Sequence, residues 1–210
     1  MSPWKRISRR VAYENNWIRV FHDDVIRPDG QPGIYGVVHF RNRAIGVLAL
    51  DEDDRVLLVG QHRYPLDLYS WEIPEGGAPL EEDPLLGAQR ELREETGFRA
   101  RSWRKLGVAH LSNSVTDEEA IYYVAEDLEP GEAEPEGTEQ LQLRWVELAE
   151  ALRMVAEGEI TDAISVIALL RLQQSRLLDR PGDRAAAGRV GEAAGSDLEV
   201  PAGGRGVHDP

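Results

Sequence analysis

Up to about residue 146, apolar and polar positions alternate in short blocks separated by turn signals; beyond it the blocks lengthen to helical spacing. "NWIRVFHDDVIR" and "GIYGVVHFRN" flank "PDGQPG", a Pro/Gly-rich connection that predicts a β-hairpin. "AIGVLAL" and "RVLLVGQHRY" flank "DEDD" and predict a second. "IYYVAEDL" and "LQLRWVEL" read as further strands on either side of the acidic loop "EPGEAEPEGTEQ". After them "ELAEALRMVAEG" is an amphipathic helix closed by Gly158 as the C′ residue. "TDAISVIALLRLQQSRLLD" is another, with Thr161 as its expected N-cap. Its first two turns are apolar almost all round, so the pattern predicts burial on more than one side, in a core or between subunits. From Arg180 onward the chain is rich in glycine and poor in large apolar residues, which predicts a disordered tail.

One more helix lies inside the strand-rich part. Asp83 and Pro84 form a strong start, with Asp as N-cap and Pro preset for the first turn, and Gly97 is the matching stop. At about 100° per residue, Glu91, Glu94 and Glu95 share one arc beside a packing stripe of Leu85, Ala88 and Leu92. Like charges at this spacing cost roughly 0.2–0.5 kcal/mol per pair, and burial next to the stripe makes the repulsion worse. A solvated Glu-rich face is the plain reading of such a string. A hard divalent cation held by the carboxylate oxygens reverses the sign of the interaction.

The 210 residues suit one domain with appendages. Absence of cysteine excludes disulfides, zinc ribbons and thiol catalysis, and a cytoplasmic location is the default expectation. No apolar run approaches the ~18 residues of a membrane span, and the basic start lacks the apolar stretch of a signal peptide. A net charge of −14 argues against binding to nucleic acid or to an anionic membrane. It also means that a phosphate-bearing ligand would need a bound cation or local arginines.

From Gly76 to Phe98 the chain reads G-x5-E-x7-R-E-U-x-E-E-x-G-U, with U a bulky apolar residue. This is the Nudix box, and the protein resembles the Nudix hydrolase family. The resemblance implies an α/β fold: an α/β/α sandwich with a mixed sheet, here with an N-terminal antiparallel strand extension. The implied organisation is an extension at 1–43 that serves as a dimerisation arm, a catalytic domain at 44–179, and the tail at 180–210. Metal ligands carried over from the family are Glu91 and Glu95, with Glu94 close behind and the backbone carbonyl of Glu75 as a candidate. Arg90 and Glu82 would hold helix and loop in place. Mg²⁺ is the expected ion, with Mn²⁺ able to replace it.

Similarity extends to "VLLVGQHRYPLDLYSWEIPEGG" and "GEITDAISVIALLRL", which look like the ADP-ribose and nucleoside diphosphate sugar branch. In that branch an arginine at the place of Arg63 contacts the diphosphate. Glu72 reads either as a residue that orients ligands or as a strand-end salt bridge. Trp17 either stacks on a base or sits half-buried in the core. The branch's marker proline is absent, and Asn113 stands at its place, which brings GDP-mannose or another sugar nucleotide close behind ADP-ribose. The water-activating base is expected at Glu139, in the acidic loop, or at Glu94. His22, His39, His62 and His110 are scattered without metal-ligand spacing. The implied activity is cleavage of a nucleoside diphosphate sugar to a nucleoside monophosphate and a sugar phosphate by a homodimer. The alternative is a noncatalytic module that binds such a ligand.

Overall fold

A computed structural model describes residues 2–134 and 140–178. The expected base Glu139 and the tail at 180–210 lie outside the described residues. As far as Leu172 the chain is one compact unit; a second begins at Gln173, and its described part is the end of the last helix.

Three antiparallel strands open the chain: β1 (Lys5–Glu14), β2 (Ile18–Ile26) and β3 (Pro32–Phe40). The expected hairpin at "PDGQPG" joins β2 to β3, with Gly30 at φ 82 in the turn. β1, in the basic "KRISRRVAYE", carries no alternating apolar pattern, and all ten of its residues are exposed.

Two further sheets form the centre. One has the order β7-β4-β9-β8, from β7 (Glu75–Pro79), β4 (Asn42–Ala49), β9 (Glu119–Glu129) and β8 (Arg99–His110). It is mixed: β4 runs parallel to β9, while the β4–β7 and β8–β9 pairs are antiparallel. The other has the order β10-β5-β6, from β10 (Gln142–Glu147), β5 (Arg55–Arg63) and β6 (Leu68–Glu72). The "DEDD" turn therefore does not make a regular hairpin. Apart from one bridge, Leu50 to Val56, the strands on either side of it go to different sheets. Each is apolar on both faces, so each finds a buried place between helices rather than an exposed side of a shared ribbon.

That two-sided burial follows the period-2 alternation of a strand. Ile45, Val47 and Ala49 of β4, with Ile121, Tyr123 and Ala125 of β9, pack with Ala88 and Leu92 of helix α1 (Pro84–Thr96). The alternate residues Leu48, Tyr122 and Val124 join Ala151 and Met154 of α2 (Leu148–Ala156) and Ile164, Ala168 and Leu169 of α3 (Ala163–Leu178). The result is the expected α/β/α sandwich. Gly158 takes the left-handed conformation, φ 75, just after α2. Asp162, not Thr161, caps α3: its Oδ2 accepts the Ser165 N–H at 2.7 Å. The apolar start of α3 is buried within its own chain, on Ile164, Ala168, Leu169 and Leu172.

Candidate active site

Helix α1 is built as its sequence demands. Asp83 accepts the Leu85 N–H at 2.9 Å, and Gly97 ends the helix at φ 78 with its own N–H on the Arg93 carbonyl. This phase turns Glu91 and Glu95 inward, 9 % and 4 % exposed, while Glu94 is half-buried. β7 runs beside them. The Glu75 N–H donates to Glu95 Oε2 at 3.1 Å. Gly76 lets the backbone approach Glu91 so closely that a Cβ there would stand 2.1 Å from Glu91 Oε2. Arg90 closes the group from one side. Its Nη1 donates to Glu91 Oε1 at 2.6 Å and to Glu94 Oε2 at 3.2 Å. Its Nη2 donates to the Gly77 carbonyl at 2.7 Å, with Glu82 at 3.4 Å. Burial alone would lower the Arg90 pKa, but the charges of Glu91 and Glu94 raise it. The donors are all oxygen, two carboxylates are buried on one helix face, and a glycine keeps their cradle open. These residues fit a hard divalent cation.

A second group adjoins the first through Glu75. Arg63, at the end of β5, donates from Nε to Glu72 Oε1 at 2.9 Å and from Nη2 to Glu75 Oε1 at 2.5 Å. Gln61 also reaches Glu72, at 3.3 Å. Glu72 therefore forms a salt bridge with Arg63, the residue expected to contact the diphosphate. Burial lowers the Arg63 pKa, yet its hydrogen bond to Glu72 and the charges of Glu75 and Glu72 raise it overall. Glu75 is pushed well above the ordinary carboxylate range by burial first, then by Asp162 and Glu72, against the pull of Arg63.

A cavity of about 370 Å³ opens over this junction, lined by Trp17, Asn42, Arg43, Arg63, Glu75 and Gly76. Trp17 is 69 % exposed, which removes the core reading and leaves its indole facing a ligand-sized space. A neighbouring cavity of about 360 Å³ shares Arg63, Glu75, Glu118 and Ile164 with the first and adds Asp162 and Thr161. A larger one, about 510 Å³, lies between Asp51, Asp53, Phe98 and Trp145, and none of the expected catalytic, metal or substrate residues lines it.

Among the residues expected at the site, Glu91, Glu94, Glu95 and Glu75 come together around the α1–β7 junction, and Arg63 and Trp17 line the adjoining cavity. The acidic loop approaches from the other end of α1. The Glu134 N–H donates to the Glu94 carbonyl at 3.0 Å, and Gly131 packs against Gly97. Glu118 and Asp162 join them without any signal in the sequence. Asp162 hides in "ITDAIS" beside a second capping residue, and Glu118 hides in an acid run, so neither stands out locally. Three of the expected non-ligand histidines pair with acids outside this group: His39 with Asp117 at 2.6 Å, and His22 and His62 at 3.5 Å from Asp24 and Asp67.

Comparison with known proteins adds relatives to this geometry. The NUDIX domain family matches residues 40–169, and the nucleoside diphosphate sugar hydrolase N-terminal domain family matches residues 4–38. The ADP-ribose pyrophosphatase of Bacillus subtilis (strain 168) is 31 % identical over 176 residues, 83 % of this chain and 95 % of that protein. The ADP-ribose pyrophosphatase of Mycobacterium tuberculosis is 34 % identical over 171 residues, 80 % of this chain and 82 % of its own length. A CMP-5'-(N-acetyl-N-hydroxy-3-aminopropyl)phosphonate hydrolase of Streptomyces rubellomurinus is 31 % identical over 85 % of this chain and 87 % of its own. Among solved structures, an ADP compounds hydrolase superposes with a TM-score of 0.77 at 20 % identity, covering 87 % of this chain and 97 % of that one.

Proposed function

The chain belongs to the Nudix hydrolase family, and from that premise we propose that it hydrolyses the diphosphate of ADP-ribose or a related nucleoside diphosphate sugar in a Mg²⁺-dependent reaction. The products are a nucleoside monophosphate and a sugar phosphate. The carrying observation is the pair of buried carboxylates, Glu91 and Glu95, packed against Gly76 and the Glu75 N–H at the edge of a cavity that also holds Arg63 and Trp17.

Glu91 and Glu95, with Glu94 and the Glu75 carbonyl, would hold the metal. When bound, it offsets the charge of the diphosphate, polarises phosphorus and lowers the pKa of water. Every other role falls to the chain. Arg90 keeps the carboxylates in place by tying Glu91 and Glu94 to the Gly77 carbonyl. Glu72 and Glu75 occupy the Nε and Nη2 edges of Arg63. No described residue takes the Nη1 hydrogens, so that edge is available to a phosphate oxygen. Trp17 offers an exposed aromatic face to the base. Glu139 removes the proton from the attacking water. The described start of its loop is held at the end of α1, where the Glu134 N–H donates to the Glu94 carbonyl.

The active form is a homodimer. Support comes from the N-terminal sheet rather than from α3: Ile7, Val11, Tyr13 and Ile34 are 66, 48, 56 and 69 % exposed, and β1 is an edge strand whose outer side pairs with no described strand. Sedimentation at micromolar concentration is expected to give twice the chain mass, and a monomer alone would overturn this part.

The deciding test is a substrate screen. ADP-ribose, GDP-mannose and other sugar nucleotides are incubated with Mg²⁺ or with EDTA, and a phosphatase that acts only on the products reports turnover. Release from ADP-ribose with Mg²⁺ and none with EDTA is expected. If no nucleotide sugar is consumed with Mg²⁺ or Mn²⁺, the noncatalytic binding module becomes the better reading.

A further inference from the structure

Beyond the box carboxylates, the structure brings a separate group of acids together from three other elements. Glu72 ends β6, Glu75 begins β7, and Asp162 caps α3. One carboxylate oxygen from each lies within 4.8 Å of the others. A single hard cation spans such a gap, since oxygens on opposite sides of Ca²⁺ stand roughly 4.6–5.2 Å apart.

Charge does not balance there. Three carboxylates face one guanidinium, Arg63, which bonds to Glu72 and Glu75. The formal remainder is −2, and the side chains of Glu72 and Glu75 are 2 % and 9 % exposed. Among the other described groups around the cluster, Arg171 offsets this charge only in part. Glu118 lines the same cavity and adds negative charge. Arg171 lies over the Tyr122 ring, 5.8 Å from its centroid, and donates to the Val108 carbonyl.

Two polar atoms independently point to something bound. Glu75 Oε2 is buried and has no hydrogen-bond partner among the described residues, and its side chain is nine-tenths buried. The hydroxyl of Tyr122, a residue with no exposed surface, also has no partner. Arg171 acts on that hydroxyl most strongly among the charges, then Asp162, Glu75 and Glu118 in the opposite sense, so it sits in the field of the same cluster. Buried polar atoms left unpaired cost about 1–3 kcal/mol each, and two of them beside an excess of −2 call for a cation with its water. The neighbouring cavity of about 360 Å³ reaches Glu72, Glu75 and Asp162 and gives a hydrated ion a way in.

We propose that Glu72, Glu75 and Asp162 form a second divalent-cation site, distinct from the Glu91–Glu95 pair and selective for hard ions such as Mn²⁺ and Ca²⁺. Glu75 Oε2 contributes the uncommitted oxygen, and Asp162 contributes the carboxylate whose Oδ2 also caps α3. Glu72 contributes charge and shares its oxygens with Arg63. The two sites meet only at Glu75, whose side chain serves this one while its N–H holds Glu95. This inference does not depend on which substrate is hydrolysed, or on hydrolysis at all.

The test counts ions. Free Mn²⁺ is followed by electron paramagnetic resonance during titration of the wild type, D162N, and the double variant E91Q/E95Q. Asparagine is a good N-cap, so D162N retains the start of α3; circular dichroism melting checks both variants. D162N is expected to bind one Mn²⁺ fewer per chain than the wild type. E91Q/E95Q is expected to retain one, displaced by Ca²⁺ and lost when D162N is added. Unchanged stoichiometry in D162N overturns the proposal, and a proton held between Glu75 and Asp162 in place of a metal would give that result. A folded E91Q/E95Q that binds no ion overturns it too. Should the double variant not fold, E72Q replaces it: one ion fewer supports the site and an unchanged count refutes it.

Discussion

Replacing Gly76 with alanine tests the geometry of the carboxylate pair at one atom. The backbone is not the obstacle, since Gly76 is absent from the positions with positive φ. Space is. The new methyl would lie 2.1 Å from Glu91 Oε2 and 2.2 Å from Cδ, where ordinary contact begins at 3.4 Å, so the carboxylate must retreat by about 1 Å or more. Because the displaced group is the far end of a side chain, the stability cost stays near the low end of overpacking, about 1 kcal/mol. That is a few degrees in Tm. The functional cost is larger. A misplacement of about 1 Å at a catalytic centre lowers kcat/KM by roughly 10²-fold, and Mg²⁺ affinity is expected to fall about 10–100-fold by the same disturbance. Hydrolysis of ADP-ribose as a function of Mg²⁺ concentration measures both. Gly36→Ala is the control, because nothing lies within 4 Å of its added Cβ. In a Glu91→Ala background the clashing atoms are gone, so G76A should add far less than in the wild type. Near-normal kcat/KM in G76A, or full additivity with E91A, would refute the placement of Glu91.

Three further outcomes are expected. Glu95→Gln removes a ligand charge but still accepts from the Glu75 N–H, so turnover should drop at least about 10²-fold while Tm in EDTA is unchanged or higher; Mg²⁺-dependent rates like the wild type would exclude the assignment. Glu139→Gln should lower kcat by roughly 10²–10⁴-fold with little change in KM, and if Glu94→Gln shows that loss instead, the base is on the helix. Asp23, buried and gripped by Arg9 at 2.6 and 2.7 Å, has its pKa lowered by that hydrogen bond against the effect of burial. Its stabilisation is present above the unfolded-state value and is lost as pH falls through the lower folded one, so Tm of the wild type should converge on that of D23N in acid; parallel curves from pH 7 to pH 2 would refute the pairing.

How much of this was visible in the sequence depends on the range of the interactions involved. The α1 helix was readable to its caps because Asp83, Pro84 and Gly97 act on backbone groups within a turn of themselves. The β2–β3 hairpin was readable for the same reason. The partners of β4 and β5 were not. Both strands are apolar on both faces, so alternation carries no sign of which face meets which helix, and a short acidic turn between them resembles a hairpin loop whether or not the strands pair. β1 escaped notice because an edge strand with every residue exposed has no buried face to mark it, and its register is held by β2 alone.

The same distinction separates the two carboxylate groups. Glu91, Glu94 and Glu95 lie on one helix, so a period of 3.6 suffices to place them on one side, and the only tertiary requirement is a neighbour small enough to approach. Gly76 meets it. Glu72, Glu75 and Asp162 meet through β6, β7 and the start of α3, and Arg63 joins them from β5. No periodicity links residues drawn from four elements. What could have drawn attention is chemical: Glu75 puts a carboxylate beside the glycines of a tight segment that already approaches two others. Such a residue repels its surroundings unless a cation is near. Arg63 supplies one positive charge to Glu75, yet Oε2 still has no partner. A residue that costs energy in the unliganded fold, at the junction of two acidic groups, is better explained by what binds there than by what it contributes to folding.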